Sequence, residues 1–129
     1  MTEDKNYPNP GDLIEVRRPG YQHWALYLGK GFVIHVTDVG STSVSSSSSG
    51  SVFTRMAKVK KELLKEVTKN HSWAVNNQYD HYRTPFPMEE IIRRAEPCID
   101  KELPYRLFFK NCEHFVTMLR YGEGVSWQV

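Results

Sequence analysis

The segment KNCEHFVTMLRYG, Lys110 to Gly122, predicts a helix that carries a cysteine in its first turn. Asn111 is a preferred N-cap residue and Gly122 a common helix stop, so Cys112 is expected to be the first helical residue. Three apolar side chains recur at helical spacing on one side: Phe115, Met118 and Leu119. The fold is therefore expected to bury one face of a C-terminal helix beside a thiol.

The predicted position of Cys112 suits a nucleophile. The unpaired N–H groups and the positive dipole at a helix N-terminus stabilise a thiolate. With a neighbouring cation or histidine, the pKa of such a thiol falls from about 8.5 to roughly 3.5–7.5. The alternative is that Cys112 is a small buried apolar side chain, as free cysteines usually are. This position alone leaves both interpretations open.

Two histidines interrupt apolar, strand-like segments upstream of the helix. His23 lies in YQHWALYL and His35 in FVIHVTD, with the turn Gly29-Lys30-Gly31 between them. Adjacent strands would bring both rings to one face, with His23 contacting the thiol and His35 holding the His23 ring in the useful tautomer. The alternative for each is a histidine whose hydrogen bonds are satisfied in the core or at a sheet edge.

The other histidines have weaker claims, and the sequence predicts no metal site. His114 follows Cys112 by two positions, so on a helix it points about 200° away and is expected to support the helix. His71 and His81 are expected in surface loops. No Cys-x-x-Cys or His-Glu-x-x-His spacing accompanies the ligand-type residues His23, His35, Cys112 and His114.

Bulk properties limit the class of protein. The 129 residues, 40% hydrophobic and 25% charged, are ordinary for one globular domain. A formal charge of +2 is too small for a dedicated nucleic-acid binder. Two cysteines, Cys98 and Cys112, make no disulfide framework, which favours a reducing compartment. The start MTEDKNYPNPGD has no apolar signal core, and the longest apolar run, WALYL, is far short of a bilayer span.

The order of predicted elements indicates an α+β fold, an antiparallel sheet packed against helices, in a single domain over residues 1–129. GDLIEVRR, HWALYLG and GFVIHVTD predict an antiparallel meander. Residues 40–51, eight of them serine, predict a flexible loop. A strand with a short helix follows in residues 52–70, and then a strand in SWAVNN. MEEIIRRAEPCI predicts a helix that Pro97 ends or kinks, and LPYRLFF an extended segment.

The motifs PGDLIEV, GYQHWALYLG, VIH, VNN, EEII and NCEHFVTMLRYG together resemble the phospholipase A and acyltransferase family, the Ras-suppressor-like branch of the lecithin:retinol acyltransferase group. The resemblance extends from Pro10 to Gly124. It implies a permuted, NlpC-type papain-like fold in which the histidines precede the cysteine, as they do here. It also implies that Cys112 is the nucleophile, His23 the general base and His35 the third, orienting residue.

The resemblance further implies the substrate, an acyl ester of a glycerophospholipid, and calcium-independent phospholipase A1/A2 and acyltransferase activity without a cofactor. Cys112 would attack the ester carbonyl while His23 acts first as base and then as acid, leaving a thioester. Water, a lysophospholipid or the amine of phosphatidylethanolamine would then accept the acyl group. The Cys112 backbone N–H and a second donor, Gln22 or Tyr21, are expected to hold the oxyanion.

The expected partners are phosphatidylcholine, phosphatidylethanolamine and lysophospholipids, met by a monomer peripherally at a cytoplasmic membrane surface. Membrane-resident relatives continue into a hydrophobic C-terminal segment, whereas this chain stops at VSWQV; we expect either a longer full-length form or a member that works without that segment. RRPGY (residues 17–21) and RLFFK (residues 106–110) are candidate lipid contacts. The lysines of KVKKELLK are interpreted as a solvated face: Lys58, Lys60, Lys61 and Lys65.

The sequence departs from the family pattern at two further places, and two other functions are alternatives to the one implied. The serine-rich segment and VIHVTD replace an expected proline-containing segment, which bears on selectivity, and Pro97 interrupts a helix that relatives continue. A papain-like peptidase or amidase would use the same three residues on an amide. A non-catalytic, growth-regulatory interaction domain would need none of them.

Overall fold

The computed structural model describes residues 7–47, 50–104 and 110–124. Within these ranges six strands form one sheet, in the order β5-β1-β2-β3-β4-β6, and every neighbouring pair is antiparallel. The strands are β1 (Leu13–Arg18), β2 (Tyr21–Gly29), β3 (Phe32–Ser47), β4 (Gly50–Leu63), β5 (Trp73–Val75) and β6 (Glu102–Pro104). The helices are α1 (Leu64–Thr68), α2 (Met88–Ala95) and α3 (Lys110–Tyr121), with 3₁₀ turns at Gln78–His81 and Glu96–Cys98.

This architecture confirms the predicted α+β class and the antiparallel meander of the first three strands. The turn between β2 and β3 depends on backbone that L side chains rarely adopt: φ is 108° at Gly29, 56° at Lys30 and 88° at Gly31. Glycine adopts such angles without steric cost, which explains the sequence Gly-Lys-Gly at this turn. The turn thus sets the antiparallel pairing of the two strands that carry His23 and His35.

Helices cover both faces of the sheet. Leu13 of β1 and Leu26 of β2 pack with residues of α2 and α3, whereas the adjacent Ile14 and Ala25 pack with α1. Successive strand residues point to opposite faces, so a strand covered on both sides needs apolar residues at every position. The unbroken run WALYL in β2 follows from this arrangement.

The serine-rich segment differs from the predicted flexible loop over residues 40–51. Strand β3 continues to Ser47 and β4 begins at Gly50, with register partners from Thr42–Arg55 to Ser47–Gly50. Residues 48 and 49 lie outside the described residues. The ladder of a hairpin uses backbone N–H and C=O groups, which serine supplies as well as any residue, so the polar composition did not prevent pairing.

The remaining predicted elements are confirmed where they are described. A strand ends at Leu63 and a short helix follows, SWAVNN contains β5, and α2 gives way to a 3₁₀ turn that contains Pro97. The extended segment predicted in LPYRLFF is confirmed only to Pro104, where β6 ends; residues 105–109 lie outside the described residues.

An ion pair and hydrogen bonds fix the C-terminal end of α3. The Arg120 guanidinium donates to the Asp80 carboxylate at 2.7 and 3.1 Å, and to the Gly11 carbonyl oxygen at 2.8 Å. The Tyr121 hydroxyl donates to the same Asp80 carboxylate at 2.6 Å. Since α3 also packs against β1, β2 and β3, these contacts hold the cysteine-bearing helix in one position on the sheet.

Candidate active site

Cys112 is the third residue of α3 rather than the first. The helix begins at Lys110, so Asn111 lies inside it and the prediction of Asn111 as N-cap is wrong. Helix ends are defined by backbone geometry that sequence preference locates only to within a residue or two. Cys112 still lies in the first turn, where backbone N–H groups have no carbonyl partner within the helix, and its side chain is buried.

Burial raises the pKa of the Cys112 thiol, which overturns the expectation of a lowered value. The backbone N–H groups of Trp24, Glu113 and Cys112 itself act in the opposite direction, but the loss of solvent is the larger effect. These N–H groups therefore reduce the free-energy cost of ionising the buried thiol but do not offset it. In the resting protein at neutral pH, Cys112 is a thiol.

His23 and His35 lie where β2 and β3 part. The last register pair on this side of the hairpin is Leu26–Ile34, and both histidines lie beyond it. Their rings are buried, and Nε2 of His23 lies 2.8 Å from Nδ1 of His35. This hydrogen bond agrees with the predicted His23–His35 contact and leaves Nδ1 as the other ring nitrogen of His23.

Both imidazoles are neutral at physiological pH. Burial lowers the pKa of His23 to about 3, and the neighbouring His35 ring and the Arg18 guanidinium add to this shift. Burial also lowers the pKa of His35; Glu62 opposes this shift, while Arg18 and Lys60 add to it. A neutral imidazole can accept a proton, so His23 is in the protonation state that a general base requires.

A cavity of about 280 Å³ brings Cys112 and His23 together. Residues of β1, β2, β3 and the first turn of α3 line it. Its lining comprises Arg18, Tyr21, His23, Val36, Thr37, Asp38 and Cys112. The cavity therefore contains a thiol, a neutral imidazole and a guanidinium in one space large enough to admit a reacting ester group.

The structure separates the two predicted oxyanion donors. Tyr21 lines the cavity, whereas Gln22, the next residue along β2, is exposed. Adjacent strand residues point to opposite faces, so His23 shares its side of β2 with Tyr21 and not with Gln22. The Tyr21 hydroxyl accepts a 3.3 Å hydrogen bond from Arg18, which leaves its own hydrogen available for donation.

Two further side chains contact a site residue or its neighbour, and the sequence predicts neither contact. The Glu62 carboxylate lies 2.6 Å from Nε2 of His35. The Tyr79 hydroxyl donates a 2.6 Å hydrogen bond to Glu113, the residue after Cys112. No periodicity or motif indicates either contact, because each joins residues 27 or 34 positions apart through tertiary structure.

The remaining predicted residues do not join the cavity lining. His114 is exposed, as expected from its angle to Cys112, and His81 is exposed while His71 is half-buried. Among the lysines of the predicted solvated face, Lys61 and Lys65 are exposed and the others half-buried: Lys58 and Lys60. Most of RLFFK lies outside the described residues.

Within the described ranges, no group of three or more His, Cys, Asp or Glu side chains is arranged to hold a metal ion. The helices described there also lack the length and apolarity that a bilayer crossing requires.

The sequence matches the family described as Lecithin retinol acyltransferase over residues 6–125. It is similar to human Phospholipase A and acyltransferase 1, with 56% identity over 126 residues, 95% of this chain and 75% of the relative. Mouse Phospholipase A and acyltransferase 3 is 48% identical over 123 residues, 95% of this chain and 76% of the relative. Human Phospholipase A and acyltransferase 4 is 44% identical over 130 residues, 100% of this chain and 79% of the relative. The family match includes all three proposed site residues, His23, His35 and Cys112.

Proposed function

The chain belongs to the lecithin retinol acyltransferase family, and on this premise we propose that it cleaves an acyl ester of a glycerophospholipid and transfers the acyl group through a thioester on Cys112. The observation that carries the proposal is the shared cavity of Cys112 and His23, with the His23 ring held by His35. The names of the similar proteins supply the substrate class, phospholipids, and the two outcomes, hydrolysis and acyl transfer.

The first half-reaction starts from a neutral thiol and a neutral imidazole. As Sγ of Cys112 bonds to the ester carbonyl carbon, its proton passes to Nδ1 of His23 and the carbonyl oxygen takes the displaced electron pair. Collapse of this intermediate breaks the ester C–O bond. The departing lysophospholipid oxygen takes the proton from His23, and the acyl group remains on sulfur.

The second half-reaction returns the enzyme to its resting state. His23 removes a proton from water, from a lysophospholipid hydroxyl or from the amine of phosphatidylethanolamine as that group attacks the thioester. Collapse breaks the C–S bond, and Cys112 recovers the proton from His23. The products are a fatty acid, an O-acylated glycerophospholipid or an N-acyl phosphatidylethanolamine, according to the acceptor.

Two donors are suited to the oxyanion that forms in each half-reaction. The Cys112 backbone N–H belongs to the first helical turn, and the Tyr21 hydroxyl lies in the same cavity, where it accepts a hydrogen bond from Arg18. We assign the second donor to Tyr21 in preference to the exposed Gln22. The Arg18 guanidinium also gives the substrate's phosphodiester a cationic neighbour.

We further propose that the protein acts as a monomer on the cytoplasmic surface of a membrane, on phosphatidylcholine and phosphatidylethanolamine. Arg17 is exposed and precedes the cavity residue Arg18 in the chain, and exposed cations attract anionic lipid surfaces.

The experiment that tests the function compares ester with amide cleavage. Purified protein is incubated with phosphatidylcholine vesicles that carry a labelled acyl chain and, separately, with acyl-amide and peptide substrates. We expect labelled fatty acid and lysophosphatidylcholine from the wild type and neither from Cys112→Ala. Cleavage of the amides without the phospholipid would instead indicate a peptidase or amidase, and no turnover of either would indicate an interaction domain.

A further inference from the structure

We propose that Glu62 is a positioning residue that fixes the tautomers of His35 and His23, so that the unprotonated nitrogen of His23 is Nδ1. The observation is a continuous chain of short contacts. Oε2 of Glu62 lies 2.6 Å from Nε2 of His35, and Nδ1 of His35 lies 2.8 Å from Nε2 of His23. His23 in turn lines the cavity of Cys112.

The register of the sheet explains how Glu62 reaches His35. In the β3–β4 ladder His35 is paired with Lys60, and Val33 with Glu62. Alternate residues of a strand share a face, so Glu62 lies diagonally across from His35 on the same side of the sheet. A long carboxylate side chain spans this diagonal, whereas the partner directly opposite His35, Lys60, is a cation.

Counting hydrogens shows which atom donates in each hydrogen bond between Glu62, His35 and His23. At neutral pH a glutamate side chain is a carboxylate, which accepts hydrogen bonds and donates none. Nε2 of His35 must therefore carry a hydrogen in the 2.6 Å contact. A neutral imidazole has one N–H, so Nδ1 of His35 is an acceptor and Nε2 of His23 is its donor. The lone pair of His23 is then on Nδ1, available to take the thiol proton.

If the hydrogen bond between the two histidines ran in the opposite direction, His23 could not accept the thiol proton at Nδ1. If Nδ1 of His35 carried the hydrogen, it would donate to Nε2 of His23, and Nδ1 of His23 would carry a proton instead of a lone pair. Both arrangements satisfy the 2.8 Å histidine contact equally, so that contact alone does not choose between them. The Glu62 carboxylate breaks the symmetry because it accepts only from Nε2–H of His35.

The other charged groups that act on His35 are cations and cannot accept its Nε2–H, which Glu62 does. Arg18 of β1 and Lys60 of β4 oppose a positive charge on His35, and His23 of β2 is itself neutral. The Glu62 side chain is 40% exposed while that of His35 is 5% exposed. Glu62 thus orients a buried imidazole from the protein surface, and its truncation creates no core cavity.

The expected effect of Glu62 on kcat rests on the proposed function, whereas its expected effect on the histidine tautomers does not. The test therefore uses two readouts on four proteins: wild type, Glu62→Ala, Glu62→Gln and the control Glu66→Ala. Glu66 is an exposed residue of α1, paired only loosely with Lys69 at 3.7 Å. Long-range ¹H–¹⁵N NMR of the imidazole rings at neutral pH reports which nitrogen of each histidine is protonated, and steady-state kinetics on phosphatidylcholine vesicles give kcat and KM.

We expect Nε2–H on both His23 and His35 in the wild type and in Glu66→Ala. In Glu62→Ala, both rings should gain Nδ1–H character, and kcat should fall about 10- to 100-fold with little change in KM. Glu62→Gln, whose amide oxygen still accepts from Nε2–H, should retain part of the Nε2–H tautomer population and part of the wild-type kcat.

Nδ1–H on His23 of the wild type, unchanged tautomers in Glu62→Ala, or an unchanged kcat in that variant would each overturn the inference. Failure of the proposed function gives a different result from failure of this inference. In that case the wild type would show the expected tautomers but would turn over no phospholipid.

Discussion

The hydroxyl of Tyr79 donates a 2.6 Å hydrogen bond to the Glu113 carboxylate, and both side chains are buried. Glu113 follows Cys112 in the first turn of α3, so this bond ties the turn that carries Cys112 to the 3₁₀ turn Gln78–His81. We expect Tyr79→Phe to lower the free energy of unfolding by roughly 1–3 kcal/mol, because it removes a donor from a buried carboxylate. Urea unfolding measures the change.

The matched control for Tyr79→Phe is Tyr82→Phe. Tyr82 is 63% exposed and packs edge-on against the same Tyr79 ring, so the change deletes a hydroxyl from a largely exposed side chain. Its unfolding midpoint should stay at the wild-type value. Equal losses in the two variants would show that the Tyr79–Glu113 bond contributes nothing specific.

A second prediction concerns stability in acid. Burial lowers the folded-state pKa of His23 to about 3 from the ordinary 6.5, so between these values the unfolded chain binds the proton and the folded chain does not. Stability therefore falls as pH falls through this window, by up to about 1.4 kcal/mol per pH unit for one such group. Urea unfolding from pH 7 to pH 4 should show a shallower decline for His23→Gln than for the wild type. Parallel declines would contradict the buried, neutral state of His23.

A third prediction separates the roles of the two histidines. His23 transfers the proton in our account, so His23→Ala should reduce kcat by about 10²- to 10⁴-fold. His35 only orients that ring, so His35→Gln, which retains a hydrogen-bonding group, should keep more activity than His23→Ala. Initial rates of fatty acid release from phosphatidylcholine vesicles measure both. Full activity in His23→Ala would show that another group is the base.

A fourth prediction follows from the proposal that hydrolysis and acyl transfer share one thioester. Where thioester formation limits the rate, added phosphatidylethanolamine or lysophospholipid competes with water for the same acyl group. Titration of acceptor at fixed density of a labelled donor should therefore lower free fatty acid as acylated product rises. Constant fatty acid release during product accumulation would mean that hydrolysis and transfer do not share an intermediate.

Much of the fold follows from local sequence signals. The Gly29-Lys30-Gly31 turn and the continuous apolar run of β2 are consequences of backbone sterics and two-sided burial, both readable from residue types. The serine-rich hairpin was not predictable in this way, because its ladder depends on backbone groups that composition does not distinguish. Pro97 ended α2 as predicted because proline cannot continue the hydrogen-bond pattern.

The contact between His23 and His35 was predictable from the sequence, whereas the electrostatics around Cys112 was not. The spacing of His23 and His35 across a tight turn indicated their contact, since a hairpin brings nearby residues together. The raised pKa of Cys112 depends on how completely other elements cover it, which no local pattern shows. Glu62 escaped notice for the same reason: its contact requires the β3–β4 register.

The most direct test of the account is mass spectrometry of the protein after brief exposure to phosphatidylcholine vesicles and acid quenching. We expect an acyl adduct that maps to Cys112, is labile to hydroxylamine, persists in Cys98→Ala and is absent from Cys112→Ala. Cys98 is the matched control because it is the other cysteine of the chain and does not line the cavity. An adduct on Cys98, or phospholipid turnover by Cys112→Ala, would contradict the account.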